Sequence, residues 1–200
     1  MKIIVIGGTG TIGSAVVKEL SARHEILIAG RKSTSFPCDI LSEESIRSMY
    51  VKAGKFDAVI ITSGSAPFAP FEELTSTHYR AGLDDKLMGQ VNCVLIGQQY
   101  IQDTGSFTLT SGILARDPIH SGSVASMVNG AVEGFVIGAS IEMPRHIRIN
   151  AIRPTILTES MPKLASYFRG FDPVPAAKVA LAYSKSAEGH QTGQIYEVLN

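Results

Sequence analysis

The chain has no tryptophan among its 200 residues and only two cysteines, Cys38 and Cys93. Two thiols so far apart make neither a disulfide framework nor a Cys-x-x-Cys pair, and their scarcity fits a reducing cytoplasm, the expected location. No apolar stretch approaches the ~20 residues that span a bilayer. The first apolar run, Ile3–Ile6, stops at Gly7 and is too short for a secretory signal. Net charge is also missing: 18 basic residues balance 18 acidic ones, so no broad electrostatic hold on nucleic acid or anionic lipid is expected. The five histidines (His24, His78, His120, His146 and His190) lack metal-ligand spacing, and no metal is expected. Internal repeats, low-complexity segments and linker-like stretches are absent, which predicts one domain over residues 1–200.

What remains is an alternation of short β-branched runs with longer helical segments. Lys2–Ile6, Glu25–Ala29, Asp57–Ile61, Ser106–Thr110, Arg148–Ile152 and Ile195–Leu199 read as strands. Helices are predicted over Thr11–Ala22, Ser42–Val51, most of Thr75–Asp103, Val124–Met143 and Pro175–Ser186. Ser42 is a plausible N-cap, and Pro175 is a candidate first helical residue. Strands alternating with helices imply βαβ units and right-handed crossovers. The expected fold is therefore α/β, a doubly wound parallel sheet in a three-layer Rossmann arrangement.

Gly7-Gly8-Thr9-Gly10-Thr11-Ile12-Gly13 lies where the first strand meets the first helix. Glycine allows a sharp turn and a close approach to a pyrophosphate, and the helix start turns free N–H groups toward it. A plain strand–helix turn would need no such cluster, so the context favours a dinucleotide. Gly30-Arg31-Lys32-Ser33 ends the second strand. An acidic residue there would accept the ribose 2′-OH of NAD; Arg31, with Lys32 and Ser33 beside it, instead suits the 2′-phosphate of NADP(H).

With these features the sequence resembles the short-chain dehydrogenase/reductase family over nearly its whole length, in particular short atypical bacterial members. Cys38-Asp39-Ile40 resembles the family's adenine-contacting Asp motif, and Thr62-Ser63-Gly64 stands where the family has Asn-Ala-Gly. Ser106–Ser111 resembles the strand that ends in the catalytic serine, and Ala131–Gly134 the segment after the catalytic lysine. Arg148–Pro154 resembles the approach to the nicotinamide-contacting motif, which implies cofactor contacts from Pro154 and Ile156. Thr192-Gly193-Gln194 resembles the closing strand. The resemblance implies NADP(H)-dependent hydride transfer to or from a small carbonyl or alcohol. It also implies a homodimer built on the small-residue helix Val124–Met143, and a small lid over Met161–Phe171.

Departures from the family pattern are equally specific. The glycine spacing is that of the extended and atypical branches, with Thr11 in a slot often held by glycine. Tyr-x-x-x-Lys is absent: one register puts Ala125 and Asn129 in its two slots, the other Val124 and Val128. Lys86 stands in place of the family's catalytic asparagine, and Thr155 where a glycine usually follows Pro154. The proton-handling site is therefore expected to reduce to Ser111 and Lys86, with His120, Ser123, Ser126 and Asn129 as further local substitutes. General acid catalysis contributes ~10²–10⁴-fold, so the missing tyrosine leaves two readings open. One is an oxidoreductase with a non-standard proton donor; the other is a non-catalytic NADP(H)-binding redox sensor or regulator.

Overall fold

The computed structural model describes residues 1–200 as seven parallel strands with helices on both faces. The strands are β1 (Lys2–Ile6), β2 (Glu25–Gly30), β3 (Phe36–Pro37), β4 (Phe56–Ile61), β5 (Ile101–Thr110), β6 (Arg148–Pro154) and β7 (Ile195–Val198), arranged 3-2-1-4-5-6-7. Central strands buried on both faces must be apolar throughout, and the continuous runs at Ile3–Ile6 and Ala58–Ile61 are wholly buried. The order reverses between β1 and β4. Neighbouring connections leave the sheet there on opposite faces, so a crevice opens beyond the strands' carboxyl ends.

Two apolar layers clamp the sheet. On one face, α2 (Glu43–Ala53), α4 (Gly89–Gly97) and α5 (Ser123–Ser140) bury Tyr50, Cys93 and Val132 against Ile4, Val59 and Phe107. On the other, α1 (Thr11–Leu20) and α7 (Ala176–Glu188) bury Val16, Leu20, Val179 and Tyr183 against Ile3, Val5 and Ile60. Ser42 caps α2 as its sequence suggests, its hydroxyl accepting from the Ser45 amide at 3.2 Å. The Tyr183 hydroxyl lies 2.6 Å from Thr110 Oγ1, which donates to the Ile61 carbonyl. This buried network ties α7 to the ends of β4 and β5, so every polar atom of it is paired.

Three boundaries differ from expectation. Helix does not reach Asp103: α4 ends at Gly97, and β5 begins at Ile101, whose buried side chain pairs beside Phe56 before the register shifts at Ala58–Ser106. Polar, exposed residues 102–104 hid this early part of the strand. The two-residue β3 pairs only with Ala29 and Gly30 and is too short to carry a periodicity. Pro175 is the N-cap of α7 rather than its first residue, and the Glu159 carboxylate accepts from the Ala176 amide at 3.1 Å.

Helix α1 approaches β1 so closely that a Cβ built on Gly13 would lie 2.1 Å from the Gly7 carbonyl oxygen. Both atoms belong to backbone, so neither can yield cheaply. Gly13→Ala is expected to cost at least ~2–3 kcal/mol through overpacking, read as a lowered urea midpoint with an unchanged slope.

Candidate functional site

The turn after β1 is built for a ligand at its open side. Gly7 has φ +87°, a conformation that favours glycine, and a Cβ there would strike Ser63 Oγ at 2.5 Å. Gly10 is the N-cap of α1 and supplies no side chain, and the first turn of that helix carries no carboxylate. The leading N–H groups of α1 thus keep their hydrogen-bonding capacity and the positive end of the helix dipole. Thr9, Gly10 and Thr11 are exposed here, whereas Ile12 turns into the crevice wall.

Two hollows flank this turn and adjoin at Gly64 and Ser65. The first, of about 170 Å³, is lined by Arg31, Asp39, Ile40, Ser63 and Gly64 together with Cys38, Leu41, Ser65 and Asp85. The second, of about 370 Å³, is mostly apolar and contains Ile12, Lys86, Ala125, Asn129, Pro154 and Ile156. The structure therefore gathers most of the residues singled out in the sequence along one groove over the switch point. Lys32 and Ser33 lie at the edge of this groove. Lys32 is exposed and lines neither hollow. The Ser33 hydroxyl donates to the Ile28 carbonyl at 2.8 Å and accepts from the Phe36 amide at 3.0 Å, closing the β2–β3 turn.

Lys86 is the only charged side chain in the wall of the second hollow. It sits on a π-helical turn, Leu83–Met88, between α3 (Ser76–Gly82) and α4. Such turns widen the backbone and leave carbonyls short of their usual partners. Wholly buried Gln90 makes up the deficit. Its Nε2 donates to the Lys86 carbonyl at 2.9 Å and to the Thr110 carbonyl at 3.0 Å, while its Oε1 accepts from the Thr110 amide at 2.8 Å. The lysine backbone is thereby fixed to the end of β5. Gly64, at φ +119°, packs against it from the other side; a Cβ would come within 3.1 Å of the Lys86 Cα. Loss of water around the ammonium pushes the Lys86 pKa down to about 8, opposed in part by the Asp85 carboxylate.

Ser111 is engaged inside the protein. Its hydroxyl donates to Glu133 Oε1 at 2.8 Å, with the Asn129 carbonyl at 3.2 Å, and it lines neither hollow. Glu133 is buried, and its other oxygen accepts from Arg153 Nη1 at 3.0 Å. The ion pair captures the serine: a buried carboxylate needs donors on both oxygens, and Ser111 is the second one. Of the two residues expected to handle the proton, Ser111 is thus bonded to Glu133 while Lys86 faces the cavity. Sequence reading recognised Glu133 only as part of a motif; its pairing with Arg153 joins helix to strand across 20 residues of chain.

The remaining substitutes separate as well. His120 is exposed beside Ser121, away from the second hollow, and the Ser123 hydroxyl meets that of Tyr79 at 3.0 Å. Val124 and Val128 are fully buried, whereas Ala125 and Asn129 line the cavity. Asn129 Oδ1 is buried with no hydrogen-bond partner. The segment after Pro154 does lie over the cavity: Leu164 and Phe168 line it and pack with Ile113, Leu114 and Ile156. Tyr167 meets Phe68 of the facing loop with ring centroids 5.8 Å apart.

Comparison with known proteins is consistent with this geometry. Residues 10–193 match the family model described as enoyl-(acyl carrier protein) reductase. A Listeria innocua protein of known crystal structure is 50% identical, with 99% of each chain covered and a TM-score of 0.97. A small-chain dehydrogenase in complex with NADPH is 28% identical, with 99% of this chain and 96% of that chain covered and a TM-score of 0.87. Among curated proteins, an uncharacterised oxidoreductase of Methylorubrum extorquens is 24% identical over 76% of this chain and 71% of its own length. A hydroxynaphthalene reductase-like protein of Metarhizium brunneum is 25% identical over 76% of this chain and 67% of its own length.

Because the Lys86 pKa is lower folded than unfolded, the unfolded chain binds the extra proton between about pH 8 and ~10.4. Stability from this group therefore rises with pH across that window, and below it the cost of the desolvated charge is fully present. Lys86→Met is expected to raise the melting temperature at pH 7, by about 2–4 °C per kcal/mol recovered. The gain should shrink as differential scanning is repeated toward pH 10.

Proposed function

The chain belongs to the enoyl-(acyl carrier protein) reductase family of short-chain dehydrogenases/reductases, and on that footing we propose that it is an NADP(H)-dependent oxidoreductase of small carbonyl or alcohol substrates with Lys86 as its proton donor. The observation that carries this reading is Lys86 alone, partly buried and desolvated, in the apolar hollow that adjoins the nucleotide groove.

The groove has the shape the cofactor requires. Gly7, Gly13 and Gly64 let Ser63, the β1 end and the Lys86 backbone pack directly against the turn, and the α1 N-terminus above them would accept a pyrophosphate. Arg31 supplies a planar cation for the 2′-phosphate, and Asp39 with Ile40 closes over the adenine. The unpartnered Asn129 Oδ1 accepts from a ribose hydroxyl, relieving the cost of a buried unsatisfied acceptor. Pro154 and Ile156 form the apolar backing of the nicotinamide. When bound, the reduced nicotinamide supplies the hydride. Lys86 holds the proton for the developing oxyanion and places a positive charge beside it in a water-poor cavity. Its position between bulk lysine and neutrality lets it release that proton near physiological pH. A purely sensory role would leave the desolvation of Lys86 without a use.

Fluorescence titration tests the cofactor: with no tryptophan in the chain, the nicotinamide signal has little protein background. Saturable NADPH binding, at least ~10-fold tighter than NADH, is expected, and Arg31→Asp should abolish the preference. Once a substrate is identified, Lys86→Met should lower kcat for reduction by ~10²-fold or more and remove the fall in rate above about pH 8. Equal affinity for the two cofactors would overturn the NADP assignment. Unchanged turnover in Lys86→Met would overturn the donor.

The homodimer is proposed on one face of α5. Met127, Gly130, Gly134, Ile137, Gly138 and Ile141 recur at helical spacing and are all exposed; a Cβ on any of these three glycines meets nothing within 4 Å. Exposed Leu95 extends this apolar surface onto α4. Small residues there permit a second helix to approach closely. Light scattering at micromolar concentration is expected to report a dimer, and Gly134→Glu to convert it to a monomer with unaltered circular dichroism.

A further inference from the structure

The second hollow says more about its ligand than that it is small. Its wall holds one cation and no carboxylate, histidine or phenol. Lys86 makes no hydrogen bond and no ion pair with the protein at its amine. The hydroxyl that could have polarised a carbonyl, that of Ser111, is held by Glu133. The same wall carries the apolar surfaces of Ile12, Ile113, Leu114, Ile156 and Phe168, with Asn129, Thr155 and Ser160 as uncharged polar members. A lone desolvated ammonium in apolar surroundings is complementary to one oxyanion on an apolar body.

Resting on the reading above, we infer that this cavity takes ring carbonyl compounds whose oxyanion is delocalised, such as quinones or enolised cyclic 1,3-diketones, with the oxygen against Lys86. A carboxylate or phosphate carries its charge on two or three oxygens, each wanting donors when buried. This wall offers a single charged donor, which suits a phenolate or enolate oxygen. The chemistry agrees. Hydride delivered from a dihydronicotinamide to the ring carbon conjugated with the carbonyl, at its β position, pushes the C=C π pair through to the carbonyl oxygen as an enolate, and that oxygen then takes one proton from the ammonium. The dihydronicotinamide becomes the pyridinium, and the free amine is reprotonated from water. With no second charged donor in the wall and the Ser111 hydroxyl held by Glu133, the transfer is easiest when the oxyanion is intrinsically weakly basic and close to the amine in proton affinity. Lys86, pushed down to about 8, matches a phenol or enol far better than an alcohol.

The first experiment reads ionisation rather than turnover. 4-Nitrophenol is titrated with protein across pH, with and without NADP⁺, and its phenolate is followed by visible absorbance. Bound nitrophenol is expected to ionise at least one pH unit below the free compound, a tenfold stabilisation of the anion. Lys86→Met should abolish the shift while still binding 4-nitroanisole. Benzoate should compete at least tenfold more weakly than nitrophenol. An unshifted midpoint, or benzoate competing as well as nitrophenol, overturns the inference. The second experiment follows NADPH oxidation with a naphthoquinone, cyclohexane-1,3-dione and cyclohexanone. The conjugated compounds are expected to exceed cyclohexanone at least tenfold in kcat/KM. Equal rates would overturn the substrate class and leave the oxidoreductase reading intact. Failure to bind NADPH would defeat that reading instead, and the nitrophenol result would stand by itself.

Discussion

Everything in the site depends on how near one helix can come to one strand. Between Gly13 and the Gly7 carbonyl there is no room for a carbon atom. That contact seats α1 on β1, points its N-terminus across the switch point, and brings α1 against α7 on the same face of the sheet. The anion-binding end, the apolar layer beneath it and the direction of the groove follow from this seating. A larger residue at either position would move the helix, and with it each amide that faces the ligand. Close approach of backbone to backbone is a constraint that composition expresses directly, which is why a glycine cluster is so informative when a buried strand precedes it.

That strength also explains what could be read from the chain beforehand and what could not. Continuous apolar runs announce central strands, since both faces are covered. The capping serine of α2 and the glycine turn are local signals fulfilled locally. Strand β3 has only two residues, one of them proline, and its pairing is decided by β2 rather than by its own pattern. The early part of β5 has three successive exposed residues after Ile101 and a register shift against β4, so its polar residues suggested something else. Among site residues, Arg31, Asp39, Ile40 and Gly64 were legible because each follows a strand end. The fates of Ser33 and Ser111 were not, since a hydroxyl is claimed by whichever acceptor the tertiary fold brings nearest. For Ser111 that acceptor belongs to the ion pair of Glu133 with Arg153.

Lys86 illustrates the reverse case. Its position in the sequence suggested a substitution for the family's asparagine on an ordinary helix. The structure adds two things that no local pattern contains. One is the π-helical turn that carries Lys86; the other is Gln90, whose amide replaces the backbone partners this turn gives up. Gln90 lies only four residues on, yet acts as a bridge to β5, a neighbour only in space. A glutamine at the start of a largely apolar helix is the hint the sequence offered.

The π-helical turn has a further meaning in terms of chain length. It differs from an α-helical turn by one extra residue per hydrogen-bonded ring. Returning this stretch to an α-helical turn would take the loss of a single residue within Leu83–Met88. Lys86 would then be carried around the helix axis, and with it the Asp85 edge of the first hollow and the contact with Gly64. The placement of this amine thus hangs on the length of the chain as much as on the kind of residue.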